Sequence, residues 1–163
     1  MSQRAQLEIA YCDGGLLMAV CGPVCFALWQ TKPTRELFEV QRAHLAAAVL
    51  KNPGRLAFLC VVSPEAKPPD DAERSASSAM INGHGSNLAA VACVIEGSGF
   101  RAAITRTVLS GMLLVVRSPS PIRLFETVEL AASWLATHVG HPAMQDFPRE
   151  FSFARERLKS SAA

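Results

Sequence analysis

Residues 55–62 (RLAFLCVV) and 88–96 (LAAVACVIE) decide the architecture. Each is a near-continuous apolar run with no polar alternation, the pattern of a strand covered on both faces. Such strands are parallel and central, because the helices that connect them lie across the sheet. Upstream, residues 6–12 (QLEIAYC) alternate polar and apolar, as a half-buried strand does. Asp13-Gly14-Gly15 follows as a tight turn in which glycine would accept a positive φ. Residues 16–21 (LLMAVC) complete an antiparallel hairpin. Gly22-Pro23 bends the chain, and residues 24–30 (VCFALWQ) read as either a short further strand or a packed loop.

Thr31-Lys32-Pro33-Thr34 opens a helix, with threonine as cap and Glu36 at the positive end of the dipole. Leu37, Gln41, His44, Leu45, Ala48 and Val49 form its apolar stripe, and Lys51-Asn52-Pro53-Gly54 ends it. Beyond the first apolar run, residues 63–71 are polar and proline-rich. Asp70 or Asp71 then caps a helix that starts at Ala72 and stops near Gly83 or Gly85. After the second run, Gly97-Ser98-Gly99 turns into a helix over 100–116 with Phe100, Ile104, Val108, Met112 and Val115 as its stripe. Residues 122–126 (IRLFE) are a short strand. Thr127 caps a helix over 128–139 whose Leu130, Trp134, Leu135 and His138 share a face, and Gly140 and Pro142 stop it.

The order β-β-α-β-α-β-α-β-α specifies an α/β fold. The expected sheet is mixed, mainly parallel and four- to five-stranded, with an N-terminal antiparallel hairpin and packed helices. Residues 1–140 form the domain, and 141–163 are a tail, either loose or a short helix. The chain is 163 residues long, 50% hydrophobic and 18% charged, which excludes disorder. A net charge of +2 is too near balance for a nucleic-acid footprint. The apolar stretches fall short of the roughly 20 residues a membrane span requires. Five cysteines at irregular spacing, four of them in apolar stretches, read as core thiols in a reducing cytoplasm. The Cys21-x₃-Cys25 pair has no second ligand pair, so neither a metal nor a cofactor is expected.

Residues 121–135 (PIRLFETVELAASWL) carry a family resemblance. Pro121, Arg123 and Phe125 sit in a short strand, and Glu129, Ala132, Trp134 and Leu135 in the helix that follows. With the element order of residues 6–139, this pattern resembles the STAS superfamily of bacterial anti-sigma-factor antagonists, and more closely its SpoIIAA-like branch. The matching residues are packing residues, so the resemblance speaks to fold more than to function. It implies a non-enzymatic regulatory or scaffolding domain acting through protein–protein contacts, with a homodimer among the arrangements. It also implies a phosphorylatable serine at the start of a helix. Ser75, Ser77 and Ser78 stand at about that place, without the family's adjacent aspartate and glycine. A phosphate at a helix N-terminus would be electrostatically favoured.

Two further segments have reactive or ligand-binding residue types. His84, between Gly83 and Gly85, is a candidate ligand contact or general base, with Ser86 nearby as a nucleophile type. No G-x-S-x-G elbow accompanies them. Ser98 and Gly99 open a helix and are candidate contacts for a small anion. No complete catalytic set is legible, so the chain is read as a non-enzyme. A small-molecule or lipid carrier is the alternative, because the SpoIIAA-like branch is similar in fold to CRAL-TRIO lipid-transfer domains. The apolar helix from Phe100 to Val116, with Gly111 in its middle, would then wall the pocket.

Overall fold

Both apolar runs are central parallel strands of a six-stranded sheet in the computed structural model, which describes residues 6–67, 70–84, 87–115 and 117–163. The strands are β1 (Leu7–Cys12), β2 (Leu16–Cys21), β3 (Val24–Trp29), β4 (Leu56–Val62), β5 (Leu88–Ile95) and β6 (Ile122–Phe125), and they lie side by side in chain order. β1, β2 and β3 pair antiparallel, while β3 through β6 pair parallel. The sheet exceeds the expected four or five strands because residues 24–29 form a full strand, every residue of it buried. Gly22-Pro23 is the two-residue turn of a second hairpin, with Cys21 opposite Val24 and Gly22 at φ 56°.

The first hairpin turns for a different reason from the one expected. Neither Gly14 nor Gly15 has a positive φ. The Asp13 carboxylate holds the turn by accepting from the Gly15 and Leu16 amides, at 2.9 and 3.0 Å, and from the Tyr11 hydroxyl at 2.7 Å. Gly15 is needed for proximity, since a Cβ there would stand 2.6 Å from Thr31 Oγ1.

The helices are α1 (Arg35–Lys51), α2 (Asp71–His84), α3 (Phe100–Val115), α4 (Val128–Val139) and α5 (Phe147–Ser161), with a 3-10 turn at Pro142–Gln145. Parallel neighbours taken in chain order, each joined by a right-handed crossover, place all three connecting helices on one face. The packing agrees with that rule. Leu45, Ala48 and Val49 of α1 and Met80 and Ile81 of α2 share a core with Met18, Phe58 and Val91. Ala131 and Leu135 of α4 and Phe147, Phe151 and Leu158 of α5 share the opposite core with Phe26, Leu59 and Val94.

Thr34 caps α1, accepting from the Leu37 amide at 3.2 Å, and Thr127 caps α4, accepting from the Leu130 amide at 3.3 Å. Gly140 ends α4 in the left-handed conformation a C-terminal glycine adopts. The stripe of α4 and the described part of the α3 stripe run along other faces than expected; the side chains of Met112 and Val115 lie outside the described residues. Phe100 and Ile104 are 82% and 42% exposed, and α3 turns Ala102 and Thr105 inward. Leu130 is 56% exposed and His138 is exposed, whereas Val128, Ala131, Ala132 and Leu135 are buried. Close approach of a helix to a flat sheet favours small side chains at the contact, so alanine rather than the bulkiest residue marks the inner face.

Residues 147–161 take the form of an appended helix, and it covers the sheet. Phe147 and Phe151 pack on Phe26 at ring separations of 5.6 and 5.2 Å. The Arg155 guanidinium bonds both carboxylate oxygens of Glu96, at 2.7 and 2.5 Å, tying α5 to the end of β5. Among the described residues no helix is long and apolar enough to cross a membrane.

Because Phe151 fills the space over Phe26 and is 2% exposed, Phe151→Ala is expected to cost roughly 3–5 kcal/mol of unfolding free energy in a urea titration. A loss below about 1 kcal/mol would show that α5 is peripheral to the core.

Candidate functional site

Two adjoining hollows lie around α3. The first is apolar, about 80 Å³, and sits between the sheet and α1, α2 and α3. Trp29, Phe38, Phe58, Met80, Ile95 and Leu109 supply most of its wall. Its polar atoms are largely paired among themselves: Trp29 Nε1 donates to Gln41 Oε1 at 2.7 Å, and Gln41 Nε2 donates to Met80 Sδ at 3.3 Å. Ser77 and Lys67 also line the hollow. An apolar hollow of this kind favours an apolar guest over water.

Cys60 and Cys93 stand opposite each other on β4 and β5 and face the same hollow. Burial pushes both thiols up, Cys93 to about 12 and Cys60 further, with the neighbouring Cys93 adding to the rise. Burial likewise raises Cys25 to about 12. Cys21 rises to about 11 through burial, helped by the negative charges of Glu150 and Asp146. Protonated thiols of this kind are poor nucleophiles. Among the described residues no three His, Cys, Asp or Glu side chains gather where they would hold a metal ion.

The second hollow is polar, about 150 Å³, and lies where β4 and β5 end and α3 begins. Ser63, Glu96, Ser98, Arg101 and Thr105 line it. Gly97 and Gly99, at φ 100° and 90°, make the turn into α3 beside this space. The Arg106 guanidinium pins that turn by donating to the carbonyls of Ile95 and Gly97, at 3.2 and 2.6 Å. Val62 and Ile95 line both hollows, so the two adjoin across these side chains.

The residues singled out from sequence do not form one site. His84 is the last residue of α2, at the end where β5 begins, whereas Ser98 and Gly99 follow the end of β5. Eight strand residues separate those edges, roughly 26 Å at 3.3 Å per residue. Ser86 lies outside the described residues. His44 stacks near Tyr11 at 6.0 Å, His138 bonds the Trp134 carbonyl and Thr137 of its own helix, and His141 accepts from the Ala143 amide.

Ser75, Ser77 and Ser78 stand inside α2 rather than at its start. The first turn is capped reciprocally, with Asp70 Oδ1 accepting from the Glu73 amide at 2.9 Å and Glu73 Oε2 from the Asp70 amide at 2.7 Å. That carboxylate already occupies the positive end of the helix dipole, where a phosphate was expected to be favoured. Ser75 is exposed, and Ser77 lines the apolar hollow. Trp29, Ser63 and Arg101 were missed. The available signal for Ser63 was its place as the first polar residue after a continuous apolar strand, the edge at which open α/β sheets bind ligands.

No family model matches the chain, and no curated protein does. Among solved structures it is similar to an uncharacterized protein of the DUF3478 family from Shewanella loihica PV-4, described as having a SpoIIAA-like fold. The two share 17% identity with a TM-score of 0.46, over 83% of this chain and 98% of the other. At this TM-score nothing about fold or activity rests on the match.

Treatment of the folded protein with iodoacetamide at pH 8 is expected to modify the exposed Cys12 and to leave Cys21, Cys25, Cys60 and Cys93 unmodified until denaturant is added. Cys60 and Cys93 are half-buried against the hollow, so their rapid labelling, read by peptide mass spectrometry, would contradict the raised pKa that keeps these thiols protonated.

Proposed function

We propose that this protein is a non-catalytic binding domain that holds the apolar part of a small molecule beneath α3. The apolar hollow walled by Trp29, Phe38 and Phe58 carries the reading. Its size narrows the guest. At about 80 Å³ it is roughly half the ~150 Å³ apolar cavity known to admit benzene, so it suits a short chain or part of a ring rather than a full-length lipid tail. The lipid carrier suggested by the CRAL-TRIO likeness is thereby reduced to a carrier or sensor of short apolar groups.

A regulatory role through protein contact is the second reading, and α3 favours it. The helix turns Leu109 and Leu113 toward the hollow while Phe100 and Leu114 stand 82% and 87% exposed. A guest that settles α3 changes the surface offered to a protein partner, which is how a small regulatory domain would report its ligand.

The test uses Trp29, whose indole lines the hollow, in a Trp134→Phe background so that a single tryptophan reports. Titration with 1-hexanol should change its fluorescence with a Kd of tens of millimolar at best, since a hollow of this size buries about two or three methylenes, which at ~0.8 kcal/mol each give about 2 kcal/mol. Ser77→Leu, which fills the hollow from α2, should weaken binding at least tenfold while leaving the thermal midpoint within a few degrees. A flat titration, or equal binding by the filled variant, would remove the proposal.

A further inference from the structure

At the α3 end of the sheet, where Arg106 Nε is also buried without a partner among the described residues, the burial of the Ser63 hydroxyl lacks an internal explanation. Ser63 is 7% exposed, lines the polar hollow, and its Oγ has no hydrogen-bond partner among the described residues. A buried hydroxyl left unpaired costs free energy, so such a group is retained where a partner arrives from outside the chain. Ser63 shares the hollow with Gly97, Ser98 and Arg101 at the start of α3, a 16-residue helix whose first amides carry the positive end of its dipole. Arg101, in the first turn, lines the same hollow and brings a full positive charge.

The local charges leave this space receptive to an anion. Glu96 is the carboxylate lining it, and Arg155 engages both of its oxygens. Glu126 lies 3.8 Å from Arg106 Nη1. Arg101 has no carboxylate partner among the described residues. The hollow also stands at the carboxyl ends of parallel strands β4 and β5, where the backbone splays toward helix N-termini in open α/β sheets.

We infer that Ser63, Arg101 and the first-turn amides of α3 bind a small oxyanion, the carboxylate or phosphate head of a short amphiphile whose apolar part occupies the neighbouring hollow. This rests on the proposed function for the tail, through the shared walls Val62 and Ile95, but the head-group site stands on its own residues. Arg106 positions the site by holding the Gly97 turn and does not touch the anion. Ser98, exposed at the same turn, contributes a hydroxyl at the rim.

Hexanoate and 1-hexanol, compared by calorimetry at pH 7.5 and low salt, test the head group at constant tail. Hexanoate should bind at least tenfold more tightly, and Arg101→Gln should erase that preference while leaving hexanol binding unchanged. Ser63→Ala should weaken hexanoate several-fold without lowering the thermal midpoint, because its hydroxyl has no internal bond to lose. Inorganic phosphate, followed by amide NMR, should shift residues 98–102 in the wild type and not in Arg101→Gln. Equal affinity for hexanoate and hexanol, with no phosphate-induced shifts, would overturn the anion site and leave the apolar reading standing. Phosphate shifts without binding of either six-carbon probe would uphold the anion site and sink the apolar reading instead.

Discussion

A sheet whose middle strands are apolar on both faces must be covered twice, and that requirement organises this molecule. β3 is buried at every position, and β4 and β5 nearly so. One face receives α4 and α5, the other α1, α2 and α3. The two coverings differ in quality. On the α4–α5 side, aromatic rings from α5 meet Phe26 directly, alanines let α4 lie close, and Arg155 locks the middle of α5 to Glu96. On the other side α1 and α2 fill their share with Leu45, Val49, Met80 and Ile81, and among the described side chains of α3 Leu109 and Leu113 border the hollow without closing it.

The incompleteness under α3 has a local cause. The helix presents Ala102 and Thr105 to the protein near its start and spends its bulky Phe100 and Leu114 on solvent. Arg106 anchors its first turns by bonding backbone carbonyls of the β5–α3 connection, a polar attachment in place of an apolar one. Interiors are otherwise packed to crystal-like density, so an apolar void bounded by three aromatic rings is an exception that a guest can use. Function in this account follows from where packing stops.

Much of the fold was legible because the decisive signals are local. The runs at β4 and β5, Thr34 and Thr127 as caps, and Gly140 as terminator each depend on a few neighbouring residues. β3 was ambiguous because Gly22-Pro23 reads equally as a bend or a hairpin turn, and only pairing between two strands separates them. The inner faces of α3 and α4 are not legible from bulk, because close approach to the sheet selects alanine, as at Ala102, Ala131 and Ala132, over the larger side chains. In α5, charged residues obscured a stripe of Phe147, Phe151, Ala154 and Leu158. The candidate site was the least legible part. Its residues come from β3, β4, β5, α1, α2 and α3, and an unpaired hydroxyl such as that of Ser63 is invisible until its surroundings are known.

Everything functional here depends on an apolar space being empty and reachable beneath α3. A crystal of the protein pressurised with xenon tests that directly, because xenon enters dry apolar voids without chemical preference. The account predicts a xenon atom bounded by Trp29, Phe58, Met80 and Cys93. Side chains of α3 packed onto Phe58 and Cys60, with no xenon between them, would contradict it.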